Sequence, residues 1–243
     1  MIDFIEYIKP YFLYTKGEPI IFTQLYFWAF FAVVLLFYSL LYKHNKVRTV
    51  YLLLVSFFFY YKTSGIFLIL LLFTIVSDYN WGRLIHKTQS TTKKKIYVTI
   101  SMILNLSLLC YFKYSYFFVE SANQLAGTDY TFINYFTQFS NTYLGTTDPI
   151  DKLILPVGIS FFTFQSISYI IDLYRNKITP VNSIFDYGFF VCFFPHLVAG
   201  PIVKANEFLY QIYQPYSLTR IDFGYSISWI MNGLAKKIMA DYI

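Results

Sequence analysis

Of the three histidines in this chain, only one has an unusual setting. His44 and His86 stand among lysines and arginines, where exposure to water is the ordinary state. His196 lies in an apolar run, Ile184 to Ile202, that is broken by Pro195, Gly200 and Pro201. Proline removes a donor and strikes the preceding turn, and glycine lowers the cost of irregular backbone. A histidine held there is a candidate general base toward a hydroxyl, although a satisfied structural histidine is the commoner occupant of such a place. No HExxH, CxxC, glycine-rich phosphate loop or Ser/His/Asp order accompanies it, and no metal site is expected.

A second polar set sits on the helix expected over Leu155 to Leu173. At about 100° per residue, Gly158, Gln165, Ser168, Asp172 and Asn176 fall on one narrow stripe. Phe161 to Phe164, Ile167, Ile170 and Ile171 form the other side, and Ile171 is expected to face lipid. A carboxylate in a membrane is costly unless it meets protein, water or a partner. The stripe therefore reads as the wall of a polar cavity or a buried helix contact, turned toward Pro195 to Pro201. Arg175, three residues beyond Asp172, is expected to neutralise it.

The elements that position these residues are helices in a membrane. The chain is 57% hydrophobic and 13% charged, whereas soluble domains carry roughly 25% charged residues. Its net charge of +6 is gathered in particular loops, the mark of membrane topology rather than of nucleic-acid binding. Cys110 and Cys192 both lie in apolar runs and read as small buried hydrophobes.

Met1 to Pro19 lacks the pattern of a signal peptide, and IDFIEYI within it suits a short interfacial helix. Ile20 to Leu41 carries no charge over 22 residues and suits one crossing, with Lys43, Lys46 and Arg48 following. Val50 to Tyr61 and Ile66 to Val76 read as too short to span, interrupted by Lys62-Thr63-Ser64-Gly65. A hairpin that enters and returns, and tilted short helices, are both open there. Basic residues from Arg83 to Lys95 follow; they also suit anionic headgroups, though topology marking is the simpler reading. Ile96 to Val119 is long enough to cross, with Lys113 snorkelling at its far end. Glu120 to Lys152 reads as an exterior loop in which Tyr130 to Tyr143 lies on the membrane. Pro156 and Gly158 are expected to open the Leu155 to Leu173 helix, proline suiting a first turn. Ile184 to Ile202, between Lys177 and Lys204, reads as re-entrant or broken. The fold class is thus an all-α integral membrane protein, a single membrane domain over 1–243 with short, broken and re-entrant helices.

Several stretches carry a family resemblance. LPVGISFFTFQSISYIIDLYR followed by FFPHLVAGPI resembles the membrane-bound O-acyltransferases, specifically their bacterial alginate O-acetyltransferase-like branch. VSFFFYYK (Val55 to Lys62), DYNWGRLI (Asp78 to Ile85), NLSLLCYFKYSYFF (Asn105 to Phe118) and the terminal GLAKKIMADYI resemble it too. The resemblance implies O-acetyl transfer to hydroxyls of a cell-envelope polysaccharide, in a multi-pass protein of the bacterial inner membrane. It implies an acyl donor, acetyl-CoA or an acyl carrier, as substrate, with no bound cofactor. Membrane lipids, the polysaccharide acceptor and a periplasmic or extracellular acyltransferase are the partners it implies; nucleic acid is not among them. Gln165, Ser168, Asp172, Arg175, Pro195, His196, Gly200 and Pro201 become channel candidates. The family's essential histidine belongs to a later region, so the chain is expected to be the N-terminal half of the fold and inactive alone. A truncated gene product, an incomplete gene model and a cloned half are all open. A non-catalytic scaffold or assembly subunit, and a transporter using broken helices, are the rival classes.

The basic residues predict a topology with an exterior N-terminus, cytoplasmic Lys43 to Arg48 and Arg83 to Lys95, and an exterior Glu120 to Lys152. Single cysteines placed in intact cells test it. A membrane-impermeant thiol reagent should label position 129 and spare position 93; the reverse pattern overturns the assignment.

Overall fold

Large apolar side chains point outward from this bundle as often as inward, in rows at helical spacing. A computed structural model describes residues 13–14, 24–144, 146, 150, 154–197, 200, 203–216 and 218–242. The helix expected over Ile2 to Ile8, the first residues of the Ile20 to Leu41 span, and Pro201 lie outside the described residues.

An apolar helix α1, Leu25–Leu41, turns at Tyr42 to His44 into α2, Asn45–Ser64. A single 3₁₀ turn, Gly65–Phe67, then leads into α3, Leu68–Lys87. The polar residues expected to interrupt α2 instead complete it. Lys62 donates to the Leu13 carbonyl. Thr63 Oγ1 donates back to Phe59 O at 2.8 Å, and Ser64 Oγ accepts from Val157 N at 3.2 Å. Gly65 ends the helix with φ +57°, the left-handed conformation that glycine adopts freely. Both helices are 20 residues long, roughly 30 Å, which matches a hydrocarbon core. The helices thus reach beyond the apolar segments, α2 past Val50 to Tyr61 at both ends and α3 past Val76 at its far end.

Ser90 caps α4, Thr91–Ala126, by accepting from Lys93 N at 3.4 Å. A short α5, Tyr135–Leu144, follows. The next helix, α6, runs Ile159–Tyr174 and starts later than expected. Pro156 lies before it rather than in its first turn, its carbonyl accepting from Ile159 N at 3.3 Å. Then come α7, Ile184–Cys192; α8, Phe194–Leu197; α9, Ala205–Tyr213; and α10, Arg220–Tyr242. A reciprocal cap starts α10: Thr219 Oγ1 accepts from Asp222 N, and Asp222 Oδ2 accepts from Thr219 N. That helix is exposed along nearly its whole length.

The core forms where α6 packs on α3 and α4 while α7 packs on α2 and α3. The buried row of α6 includes Phe162, Ile167, Ile170 and Leu173. Ile167 and Ile170 thus belong to the core, and Ile171 is half-buried. Outward rows are equally regular: Val33, Leu36, Phe37 and Leu40 on α1, and Ile69, Leu72, Phe73 and Val76 on α3. Such rows in water would be a liability; in lipid they are ordinary. Two helical stretches, Asn45–Lys87 taken across the 3₁₀ turn and Thr91–Ala126, are long and apolar enough to cross a membrane. The chain is an all-α membrane protein.

Gly158 has φ +74°, and a Cβ there would lie 2.3 Å from the Leu197 carbonyl oxygen. Gly158→Ala should therefore cost about 3 kcal/mol, the upper end for strained backbone, since α8 must also retreat. Gly224, whose Cβ would meet open space, serves as the control. Denaturation of both variants in one detergent should show loss at position 158 alone.

Candidate functional site

A proline decides where the last apolar run breaks. In a continuous helix the ring of Pro195 would strike the carbonyl of Val191. The chain leaves the helix at Phe193, φ −51° and ψ 110°, and resumes as α8 with proline in its first turn. Among the helical hydrogen bonds that the break opens is the one from Phe194 N–H to Phe190 C=O. Side chains of two other helices take its two ends. Gln165 Nε2 of α6 donates to Phe190 O at 2.7 Å, and Ser56 Oγ of α2 accepts from Phe194 N at 3.2 Å. Ser56 Oγ in turn donates to Leu52 O at 2.7 Å. Irregular backbone inside a membrane protein persists only where protein or water satisfies it in this way.

The turn of α8 is held from a third side. Gly158, at the mouth of α6, meets the Leu197 carbonyl directly. Two segments 39 residues apart in the chain are thus in backbone contact. His196 lies between aromatic rings, its own ring centred 5.1 Å from Phe193 and 5.8 Å from Phe208, both edge-on. Its Nδ1 is buried and makes no hydrogen bond among the described residues. Gly200 N donates to the His196 carbonyl at 3.1 Å.

The other stripe residues are less engaged. Gln165 is buried and bonded to α7, not to the Pro195 to Pro201 segment as expected. Ser168 and Asp172 are half-buried and Arg175 is exposed. No ion pair joins Asp172 to Arg175 among the described residues, and Arg175 finds solvent cheaper than a partly buried pairing. Pro201 lies outside the described residues.

The polar cluster that the stripe did not reveal is deeper. Asp78 of α3 is fully buried. Its Oδ1 accepts from Ser101 Oγ at 2.7 Å, and its Oδ2 accepts from Asn105 Nδ2 at 2.8 Å, both from α4. Ser166 of α6 faces the same carboxylate and is reached in turn by Tyr187 of α7, whose hydroxyl lies 3.2 Å from Ser166 Oγ. Four helices meet there. The spacing of Ser101 and Asn105, one turn apart in an apolar helix, was the available signal. At the basic end, burial and the Asp186 carboxylate it donates to push the Tyr213 phenol up from its ordinary range.

Among the described residues no cluster of three or more His, Cys, Asp and Glu could hold a metal. The site can therefore bury a bent backbone and a histidine ring inside an apolar wall, with a hydrogen-bonded carboxylate deeper in the core. It holds no complete set of acid, base and nucleophile.

The chain is 32% identical to the probable alginate O-acetylase AlgI of Pseudomonas aeruginosa over 172 residues, covering 70% of this chain and 30% of that protein. It is 31% identical to the AlgI of Azotobacter vinelandii over 176 residues, 69% of this chain and 31% of that one. It is 32% identical to the peptidoglycan O-acetyltransferase of Helicobacter pylori over 216 residues, 78% and 38%. The chain thus spans 30% to 38% of the length of these relatives. No family model matches it, and no solved structure does.

Gln165→Leu and Ser56→Ala should each cost about 1–3 kcal/mol, the penalty of one unpaired buried backbone group. Asp172→Asn, which breaks no ion pair, should stay within about 0.5 kcal/mol. Unfolding of the three purified variants in a common detergent checks the order.

Proposed function

From a chain that belongs to the alginate O-acetylase-like branch of the membrane-bound O-acyltransferases, we propose that it forms part of an enzyme O-acetylating a cell-envelope polysaccharide. The setting is a multi-pass protein of the bacterial inner membrane. The donor, a thioester on coenzyme A or on an acyl carrier, approaches from the cytoplasmic side, and the acceptor polymer lies outside. In the reaction the acceptor's hydroxyl oxygen attacks the thioester carbonyl carbon. Its proton passes to a base, the C–S bond breaks, and the thiol leaves protonated. A histidine outside these 243 residues supplies the base, and a periplasmic or extracellular acyltransferase is a fitting partner.

The observation that carries this reading is the seam between Gly158 and Leu197. It joins the two segments whose wording marks the family, and it builds a bent, buried backbone with Gln165 and Ser56 at its ends. Such a seam gives one wall of a channel from which water is excluded, and exclusion of water protects a thioester from hydrolysis. In this reading Gln165, Ser168 and Asp172 of α6 and Pro195, His196 and Gly200 of the turn are the residues proposed to border the channel.

The test is ester-linked acetate on envelope polysaccharide from a strain lacking its own transferase. The chain joined to the part of a relative that lies beyond the matched region should acetylate the polymer, and the 243 residues alone should not. General-base assistance is worth roughly 10²–10⁴-fold, so the difference should be plain. His196→Ala in the joined protein should retain activity. Acetylation by the 243 residues alone, abolished by His196→Ala, would instead make His196 the base.

A further inference from the structure

Arg48 is a buried cation with no carboxylate paired to it among the described residues. Only 6% of it is exposed, and its Nη2 donates to Ile212 O at 2.7 Å and Gln214 O at 3.4 Å. Those carbonyls end α9, so part of the guanidinium caps that helix and meets its negative end. Carbonyl dipoles offset a full charge incompletely, and a guanidinium has five N–H donors to place. No ion pair of Arg48 exists among the described residues.

Two cavities adjoin it. One, of about 330 Å³, is lined by Arg48 together with Tyr38, Phe193, Phe208 and Gln211. The other, of about 670 Å³, is lined by Lys43, His44 and Lys46. Pro215 and Tyr216 border both, and the Tyr216 ring stands edge-on to Tyr38 at 5.2 Å and to Tyr42 at 5.9 Å. No acidic residue among the described residues lines either cavity. The neighbouring cavity of about 600 Å³, which Lys46 also borders, does contain Asp186, whose carboxylate accepts from the Tyr213 hydroxyl at 2.7 Å. The carboxylate-free pair is the place where a negative charge is wanted.

The flank beside it is apolar. Tyr38 belongs to α1, whose Leu36, Phe37 and Leu40 are exposed, and the three tyrosines form the amphipathic belt expected where hydrocarbon meets headgroups. We propose that this pair of cavities binds the phosphate headgroup of an anionic phospholipid, with Lys43 and Lys46 around the phosphate, Arg48 behind it, and the acyl chains along α1. The site is independent of the acyl-transfer reading.

The experiment extracts the full chain in mild detergent from bilayers of equal phosphatidylglycerol and phosphatidylcholine and measures the retained lipid by mass spectrometry. Retained phosphatidylglycerol should exceed phosphatidylcholine by about tenfold, and the preference should fall toward parity in Lys43→Gln/Lys46→Gln, following the usual contribution of each basic residue near an anionic surface. Both lysines are exposed, so the double variant should fold. Lys93→Gln/Lys95→Gln, which removes an equally exposed pair elsewhere, should keep the preference. Equal retention of the two lipids, an undiminished preference in the Lys43/Lys46 variant, or equal loss in the Lys93/Lys95 variant would overturn the site. Thermal protection by inorganic phosphate equal to that by phosphatidylglycerol would overturn the lipid assignment.

Discussion

One opened hydrogen bond explains much of how this bundle is put together. Phe190 and Phe194 would be partners in an unbroken helix, and Pro195 forbids that helix. The separated carbonyl and amide cannot be left dry in an apolar interior, where each would cost as much as several good packing contacts. Gln165 and Ser56 take them, and in doing so they fix the distance of α6 and α2 from the break. Gly158 can approach the Leu197 carbonyl because it has no side chain to be displaced. The seam is thus a product of satisfying backbone.

The Asp78 cluster plays a complementary part below the seam. Dispersion and apolar burial leave helices free to slide past one another, particularly in lipid, where there is little hydrophobic drive between them. A carboxylate that must keep Ser101, Asn105 and Ser166 in reach allows one register only. The apolar contacts around it, such as Leu71, Ile75 and Phe162, supply most of the buried area but little of the choice.

Much of this was legible in the sequence. The all-α class followed from composition, and the break in Ile184 to Ile202 followed from Pro195. The polar stripe on α6 marked Gln165 correctly as a residue with something to do. What the stripe could not reveal was the partner, because Phe190 offers only a backbone carbonyl, which every residue has. Ser56 was invisible for the same reason: a lone serine in VSFFFYYK gives no pattern until the amide it accepts from is known. The helix ends were misjudged where polar residues looked like punctuation. Lys62 to Gly65 reads as an interruption between two apolar segments, whereas tertiary partners outweigh local preference and carry α2 through Ser64.

The long helix α4 has a consequence for the membrane itself. Between Lys95 and Lys113 it presents a mainly apolar stretch of roughly 26 Å along the axis, and Lys113 is exposed with its ammonium 5.5 Å from the centre of the Tyr114 ring. That length is a little under an average hydrocarbon thickness. A thicker bilayer would draw Lys113 inward or stand α4 more upright, and a thinner one would tilt it. The α3 and α6 helices are tied to α4 through Asp78. Hydrophobic mismatch, set by the chain length of the surrounding lipids, therefore bears on α4 together with the two helices tied to it.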